Sequence, residues 1–490
     1  MTSERLRAAR KYESEKLPQV PSGILPAYHL TGGIGWINDP NGFSRYKNEY
    51  HLFFQYNPYD VHWDAMHWGH VKTTDFLHWE RLPCALAPDR EFDKDGCFSG
   101  SAIELPDGKH LIMYTGVRKE TLPDGTQAEY QAQCIAVGDG TEYEKFSQNP
   151  VIDAGMLPPG GSAHDFRDPK IFEKGEKYYA VAGNRCPDGS GAVLLFESDD
   201  ALSWKFRSVL ASSGNRHGRM WECPDFFTLD GKDVLLVSPQ EMNAKGLEFI
   251  DGNTTLCLAG SFNPVTGSLE REHEQAIDYG LDFYAPQTVL TADGRRVMIA
   301  WMQYWDSVGY TPEGLPFFGQ MTFPRELKIH NGRLYQMPVS ELESARREKT
   351  EHRNVTVSSE ISLPGISGRI IDLTVNVLPG NYEYFRITVA ADNTHGTVIT
   401  YNPGKGTVLV DRTLSGSPKD ILNTREFCVS KKEGKIEMRI LLDRYSLELF
   451  VNAGSQAASF TIYTPLSADG ISFSAGGTAV INAVKYNLEF

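Results

Sequence analysis

Short apolar runs separated by turn residues recur along the first two-thirds of the chain. Five segments open on a small or acidic residue, continue with two or three apolar residues and reach a turn seven or eight residues later. They begin at Asp39, Ser99, Asp168, Cys223 and Ala285, at intervals of 55 to 69 residues. A strand-like apolar run follows each turn. Hairpins that repeat at this period are typical of propeller blades, so the pattern predicts a five-bladed β-propeller rather than a plain sandwich or barrel.

The pattern changes near Arg325. Residues 339–349 are rich in strong helix formers with opposite charges near i,i+4 spacing, which predicts a short linker helix. From about Val355, period-two strands alternate with Gly, Pro and Asn turns, as in an antiparallel β-sandwich. We therefore expect an all-β protein in four parts. They are an N-terminal helical extension at 1–27, the propeller at 28–335, the linker helix at 336–354 and the sandwich at 355–490.

Charge and cysteine content restrict the classes of binding partner and the cellular location expected for the protein. The formal net charge of the 490-residue chain is −15, which argues against nucleic acid or an anionic membrane and favours a neutral small molecule. No stretch approaches the ~18–20 apolar residues of a membrane span, and the charged N-terminus does not resemble a signal peptide. The seven cysteines show no metal-like spacing and fit reduced thiols in a cytoplasm. The sequence leaves the oligomeric state open, and a homo-oligomer is one of the alternatives.

The repeat brings distant carboxylates together. The first strand of each blade should line the central channel, so Asp39, Asp168 and Glu222 should converge although they are far apart in sequence. Carboxylates gathered in a partly desolvated funnel have their pKa values pushed apart. One neutral acid and one anion suit the cleavage of an acetal, in which the acid protonates the leaving oxygen and the anion attacks the anomeric carbon. The pattern thus indicates a glycosidase, which is a retaining enzyme if the gap is ~5–5.5 Å.

Each of these residues also has a simpler interpretation. The segment that starts at Asp39 could be only a tight turn, because Asn-Gly is a common hairpin signal. Arg167 and Asp168 could form a surface ion pair, and Glu222 could be a solvated residue. Five histidines between residues 29 and 70 suggest a metal site, but they lack a ligand-spaced cluster with carboxylates and fit core or rim positions better. Cys223 could be a thiol nucleophile, but it has no histidine near it in sequence.

Ordered motifs connect the chain with a known family. They are WINDPNG from Trp36, FQYNP from Phe54, HWGH from His67, FSGS from Phe98, RDP from Arg167, WECPD from Trp221, DFYAP from Asp282 and DRYSLELF from Asp443. In this order they resemble the motifs of glycoside hydrolase family 32, the invertases. The resemblance covers nearly the whole chain from about Tyr28, although Tyr445 is bulkier than the small residue expected there.

The resemblance implies a role for each carboxylate. Asp39 would be the nucleophile that attacks C2 of a fructofuranosyl unit, Glu222 the general acid and then the base, and Asp168 the residue that holds fructose hydroxyls in the transition state. The family's fold is a propeller followed by a sandwich, and it uses no metal or organic cofactor. The remaining residues expected to shape the sugar pocket are Asn38, Gln55, Trp63, Phe98, Ser99, Arg167, Tyr284 and Trp301.

The resemblance leaves the reaction partner open. The chain is most similar to bacterial intracellular hydrolases of sucrose or sucrose 6-phosphate, and short fructo-oligosaccharides are also candidate substrates. A phosphate would need basic residues on the leaving-group side, for which the candidates are Arg118, Lys119, Arg185 and Arg216. A fructosyltransferase would use the same pocket. A non-catalytic sugar-binding propeller would be expected to lack one carboxylate, and the sequence contexts of Asp39 and Glu222 favour fructose over arabinan or xylan.

Overall fold

The computed structural model describes residues 2–308, 310, 312, 314–430 and 434–490. In these ranges five antiparallel sheets follow one another along residues 35–338, and each is a blade whose strands pair in chain order. The blades comprise, first, Gly35–Tyr46, Glu49–Asn57, His67–Thr73 and Glu80–Leu86; second, Gly96–Glu104, His110–Thr121, Gln127–Gly138 and Tyr143–Lys145; third, Arg167–Lys174, Lys177–Arg185, Gly191–Ser198 and Lys205–Ser212; fourth, Met220–Leu229, Lys232–Gln240, Leu256–Asn263 and Ser268–Ala276; fifth, Tyr284–Leu290, Arg296–Trp301, Arg325–His330 and Arg333–Pro338.

The first strands of the blades form a closed ring. Each contacts the first strand of the next blade, and the fifth contacts the first. The short strand Phe317–Phe318, from the fifth blade's long connection, pairs in parallel with the start of Gly35–Tyr46. Apolar residues of the inner and middle strands pack between adjacent blades and exclude water there. The five-bladed propeller expected from the repeat is confirmed.

Every first strand is interrupted by a β-bulge at the same repeat position. The pairing register shifts around Asp39, Ser99, Asp168, Cys223 and Ala285, the residues on which the five sequence repeats open. Asp168, Cys223 and Ala285 have positive φ angles of 65°, 47° and 51°, which non-glycine residues seldom adopt. A bulge bends the strand and re-aims its side chains, so each blade turns the same position toward the channel.

The C-terminal part is a sandwich of two antiparallel sheets that share one long strand. The first half of Gly470–Leu488 pairs with Asn381–Ala391, and its second half pairs with Ile371–Val377 and Arg346–Val357. An apolar core fills the space between the sheets. The remaining strands are Gly396–Asn402, Thr407–Leu414, Thr424–Cys428, Ile436–Asp443, Ser446–Val451 and Gln456–Thr461.

The linker is helical over a shorter length than the sequence predicts. A 3-10 helix covers Ser340–Ala345, and the chain then enters the strand Arg346–Val357 instead of remaining helical to residue 354. The strand forms because it pairs with the long strand Gly470–Leu488. Tertiary pairing therefore outweighs the local helix propensity of Arg, Glu and Lys in this segment.

The N-terminal extension covers an exposed sheet edge. An α-helix, Glu4–Lys16, packs on the outer strand of the first blade and is followed by 3-10 helices at Leu17–Gln19 and Ser22–Ile24. The carboxylate of Glu13 accepts a hydrogen bond from the Cys84 backbone N–H, and Arg10 donates to the Cys84 carbonyl. Helix side chains thus occupy backbone groups that a neighbouring strand would otherwise use. None of the helices within the described ranges is long and apolar enough to cross a membrane.

A buried ion cluster joins the propeller to the sandwich. The His29 ring lies between two sandwich carboxylates, with Nδ1 2.9 Å from Asp443 and Nε2 2.8 Å from Glu448. Arg325 of the fifth blade also pairs with Glu448, and its Nη1 lies 2.8 Å from Asp278. Because all five side chains are inaccessible to solvent, each charge depends on its neighbours for compensation.

Candidate active site

Each first strand contributes two consecutive residues to the central channel. We call the five bulged residues, Asp39, Ser99, Asp168, Cys223 and Ala285, the bulge positions. The residues immediately before them are the entrance positions, which are Asn38, Phe98, Arg167, Glu222 and Tyr284. Hydrogen bonds link four of the bulge positions, all except Ala285, and three of the entrance positions, Arg167, Glu222 and Tyr284. The five-fold repeat therefore brings these seven residues into one funnel. The three carboxylates fall into different sets: Asp39 and Asp168 are at bulge positions, and Glu222 is at an entrance position.

The bulge positions form a hydrogen-bonded cluster. Ser99 Oγ donates to Asp39 Oδ2 over 2.7 Å, and the Cys223 thiol lies 3.4 Å from the same oxygen. The Cys223 backbone N–H donates to Asp168 Oδ2 over 3.0 Å, and its sulfur is 3.6 Å from that atom. Cys223 therefore bridges the two aspartates, all four residues being buried.

The entrance positions hold Glu222 from both sides. Arg167 Nη2 and Nε lie 2.9 and 3.0 Å from Glu222 Oε1, and the Tyr284 hydroxyl donates to Oε2 over 2.6 Å. Gln131 Oε1 accepts a further hydrogen bond from Arg167 over 3.3 Å. Because Tyr284 also bonds the Ser238 carbonyl, its hydroxyl has a fixed direction. The Glu222 side chain stays 14% exposed, which leaves one side open to the funnel.

Burial and mutual repulsion disfavour three negative charges in this funnel. Burial raises the pKa of Asp168 to about 7, against the opposing charge of Arg167, and the carboxylates of Glu222 and Asp39 add to the rise. Burial also raises the pKa of Asp39, and the charge of Glu222 contributes, while the Ser99 hydrogen bond opposes the shift. The funnel therefore holds carboxyl groups whose environments disfavour ionisation beside Arg167, an arrangement typical of acid–base sites.

Aromatic rings form one wall of the funnel. Trp36 stacks on Phe318 with ring centroids 4.5 Å apart, and Trp301 lies 5.9 Å from Trp36 and 5.0 Å from Trp305. These residues belong to one cluster with Cys223 and Tyr284. A flat apolar wall beside carboxylates suits a ligand with an apolar face and hydroxyl edges.

The other residues expected in the pocket lie around this core at different depths. Asn38 Oδ1 accepts from the Trp36 indole over 2.7 Å, and Trp301 is the cross-strand partner of Tyr284. Trp63 is 41% exposed at the rim and meets Phe98 edge-on at 5.8 Å. Gln55 is buried, and its amide donates to the Cys97 carbonyl over 3.0 Å, next to Phe98.

Three buried polar atoms of the funnel lack a hydrogen-bond partner. In the described part of the chain, they are Asp39 Oδ1 and the indole N–H groups of Trp301 and Trp305. Leaving such groups unsatisfied costs about 1–3 kcal/mol each. One acceptor and two donors in the same funnel match the hydrogen-bonding needs of sugar hydroxyls.

The simpler interpretations of these residues do not fit the structure. Asp39 lies inside the strand Gly35–Tyr46 rather than in a hairpin turn, and Arg167, Asp168 and Glu222 are not on the open surface. Burial raises the pKa of the Cys223 thiol well above its usual range, so the thiol is a hydrogen-bond donor and a poor nucleophile.

The five histidines take core and rim positions. His51 and His70 are buried and hydrogen-bonded to each other over 2.9 Å, and His67 is also buried. His29 belongs to the ion cluster between the two domains, and His62 is exposed beside Asp60. None of these rings lies among the funnel residues that hold Asp39 and Glu222.

Sequence reasoning missed residues of the second and third strands that support the site. Thr115 accepts the Asp168 backbone N–H, Gln131 bonds Arg167 and Ser238 bonds Tyr284. They lie outside the repeat openings, and no motif marks them. Cys223 could have been recognised as a supporting residue, because the repeat aligns it with Asp39 and Asp168.

Comparison with known proteins agrees with this geometry. Residues 29–338 match the glycosyl hydrolases family 32 N-terminal domain, and residues 341–488 match the family 32 C-terminal domain. The chain is 34% identical over 466 residues to sucrose-6-phosphate hydrolase of Escherichia coli, with 94% of each chain covered. It is 35% identical over 467 residues to raffinose invertase of Escherichia coli, with 93% of each covered.

A solved structure shares the whole architecture. The β-fructofuranosidase of Bombyx mori, a family 32 enzyme solved as a mutant in complex with sucrose, superposes with a TM-score of 0.84 at 30% identity. The alignment covers 100% of this chain and 99% of that one. The chain described here therefore belongs to glycosyl hydrolase family 32 and is a glycoside hydrolase.

Proposed function

We propose that the protein hydrolyses terminal non-reducing β-D-fructofuranosides, with sucrose as the simplest substrate, and that it retains the anomeric configuration. The observation that carries this proposal is the bridge that Cys223 makes between Asp39 and Asp168 while Glu222, the preceding residue, faces the same funnel. The relatives named as invertase and sucrose-6-phosphate hydrolase support fructose as the sugar that is released.

In the proposed first step Asp39 attacks C2 of the fructosyl unit. Ser99 and Cys223 both bond Asp39 Oδ2 and leave Oδ1 as the attacking atom. Glu222 donates a proton to the leaving glycosidic oxygen, so that the C2–O bond breaks while the C2–Oδ1 ester bond forms. Asp168 accepts hydrogen bonds from fructose hydroxyls and stabilises the positive charge that develops on the sugar ring.

In the second step Glu222 acts as a base. Having lost its proton, it takes one from a water molecule, whose oxygen attacks C2 and breaks the ester to Asp39. Arg167 stabilises the ionised form of Glu222 at this stage, and Tyr284 keeps the carboxylate oriented. Two inversions at C2 give retention of configuration.

The reaction and its stereochemistry can be tested together. Proton NMR of fresh sucrose hydrolysate should show β-fructofuranose as the first fructose product. Asp39→Ala and Glu222→Gln should each lower kcat by several orders of magnitude, while the exposed controls Asp107→Ala and Glu241→Gln keep wild-type rates. Near-full activity of Glu222→Gln would remove the acid–base assignment, and α-fructose as the first product would exclude the covalent intermediate.

Unphosphorylated sucrose is favoured over sucrose 6-phosphate by the charge pairing of the candidate phosphate ligands. Of the four candidate phosphate ligands, Arg118 pairs with Glu120, Lys119 lies 3.5 Å from Glu129 and Arg185 lies 3.8 Å from Asp165. A cation already opposite a carboxylate attracts a phosphate less strongly. The fourth, Arg216, is exposed. The ratio of kcat/KM for the two substrates decides the question, and a higher value for the phosphorylated sugar would reverse this preference.

Hydrolysis rather than fructosyl transfer should dominate at high sucrose concentration. Accumulation of trisaccharide in place of free fructose would indicate a transferase.

We also propose a cytoplasmic location, which is consistent with seven cysteines that are all free thiols in the described ranges. Fractionation of cells of the source organism tests the location.

A further inference from the structure

A cleft of about 480 Å³ lies between the N-terminal extension and the first blade. Tyr12 and Gln19 line one side, Tyr59 and Val61 line the other, and Gly35 lies where the first strand of the propeller begins. The residues 58–61 belong to the loop that joins the second and third strands of the blade. Nothing in the proposed hydrolysis of sucrose uses this cleft.

The cleft and the funnel share one loop. Val61 lines the cleft and also packs against the aromatic cluster around Trp36 and Cys223. Two residues further along the loop, Trp63 contacts Phe98 at the funnel rim. Gly35 precedes Asp39 by four residues of strand, which is a distance of about 13 Å. One loop therefore connects the wall of the cleft with the wall of the funnel.

The lining of the cleft has the chemistry that sugar rings require. Tyr12 and Tyr59 meet edge-on with ring centroids 5.1 Å apart, and Tyr59 is 43% exposed. An aromatic ring left this open offers a face to the C–H side of a sugar, and its hydroxyl offers a polar handle. Lys16, Gln19 and Asp60 add donors and acceptors for sugar hydroxyls at the edge.

We infer that this cleft is an accessory subsite for the distal units of a fructo-oligosaccharide whose terminal fructose is bound in the funnel. The inference rests on the proposed function. Sucrose carries one unit beyond the scissile bond, so it ends close to the funnel and does not reach the cleft. Longer chains extend past Trp63 and gain contacts with Tyr59 and the facing N-terminal segment.

The test compares substrates of different length on the same variants. For Tyr59→Ala, the ratio of kcat/KM on a four-unit fructo-oligosaccharide to kcat/KM on sucrose should fall about fivefold, which is the size of effect expected for one aromatic contact. Tyr59→Phe keeps the ring and should keep the ratio within about twofold. Leu290→Ala removes a side chain that is 52% exposed on the fifth blade's first strand and serves as the matched control.

Each outcome bears on the inference. An unchanged ratio in Tyr59→Ala overturns it, and so does an equal loss on both substrates, because Tyr59 would then support the funnel itself. If Tyr59→Ala has a lowered melting temperature, the second variant is Gln19→Ala, at an exposed position on the opposite side of the cleft. It should lower the same ratio without lowering the melting temperature, and an unchanged ratio in Gln19→Ala would also overturn the inference. Wild-type protein that releases no fructose from sucrose would contradict the proposed function, which is a different result.

Discussion

Tyr284 donates a 2.6 Å hydrogen bond to Glu222 Oε2 although the two residues belong to adjacent blades. The Tyr284 hydroxyl is buried and also bonds the Ser238 carbonyl, so it cannot rotate away without losing a second partner. The orientation of the proposed acid–base residue thus depends on the packing of the fourth blade against the fifth.

Tyr284→Phe should lower kcat by about 10- to 100-fold, because Glu222 loses the bond that orients it for proton transfer. Steady-state kinetics on sucrose measures this. Tyr279→Phe is the matched control, since Tyr279 makes a similar 2.8 Å bond to Glu248 away from the funnel. Equal effects of the two changes would show that Tyr284 contributes only to packing.

The kcat/KM for sucrose should rise as pH rises toward about 7. Burial with two other carboxylates raises the pKa of Asp168 to about 7, so below that pH Asp168 is protonated and is a poorer acceptor for fructose hydroxyls and a weaker stabiliser of the positive charge on the sugar ring. A pH profile from 5 to 9 tests this. A kcat/KM that is constant between pH 5 and pH 7 would contradict the role of ionised Asp168.

Asp168→Asn should inactivate the enzyme and stabilise its fold at alkaline pH. The folded-state pKa of Asp168 is raised from 3.8 to about 7, so its ionisation costs folding free energy progressively over that interval and fully above it. Asparagine avoids this cost, and the gain in unfolding free energy at pH 8 should be on the order of 4 kcal/mol. Urea unfolding at pH 4 and pH 8 measures it. A similar gain at pH 4, or from the exposed control Asp107→Asn, would rule out this origin.

His29 should make the protein sensitive to alkali. The carboxylates of Asp443 and Glu448 overcome the effect of burial and raise the pKa of His29 to about 9. Its stabilising charge is fully present below the unfolded pKa of 6.5 and is lost as pH rises through about 9.

The loss should be about 3 kcal/mol of unfolding free energy between pH 6.5 and pH 9.5. Thermal or urea unfolding across this range detects it. His29→Gln should be less stable than the wild type at pH 6.5, and the difference should narrow by pH 9.5. His62→Gln, at an exposed position, should follow the wild type throughout. A difference that is constant with pH would show that His29 is not charged in the fold.

The Cys223 thiol should resist alkylation. It is buried, and its pKa is raised first by burial and then by the charges of Asp168 and Asp39. Iodoacetamide at pH 7.5 should label the exposed Cys428, as seen by mass spectrometry, and leave activity intact. Activity that falls in step with labelling of Cys223 would revive the thiol as a reactive group, and Cys428→Ser controls for the exposed site.

The sequence predicted the propeller because each blade repeats a local signal. Asp39, Ser99 and Asp168 each precede an apolar strand and a turn, and these features depend on neighbouring residues in the chain. The strands expected in the sandwich, such as those around Leu373 and Leu447, were also visible from period-two alternation.

Contacts between blades could not be predicted in the same way. Gln131 and Ser238 support the site from a third and a second strand, where no repeat or motif distinguishes them from other polar residues. The strand Arg346–Val357 was misjudged as helical because its partner lies more than a hundred residues away. Long-range pairing leaves no trace in local propensity.

The bulge shared by the five first strands separates chemistry from architecture. Hydrogen bonding resumes on both sides of each bulge, so the residue there is free of the constraints that the rest of the blade imposes. Copies of one ancestral blade could share the same strands and differ in the residue at this one position. Each copy could then acquire its own side chain, a carboxylate, hydroxyl, thiol or methyl group, without any change to the scaffold that carries it.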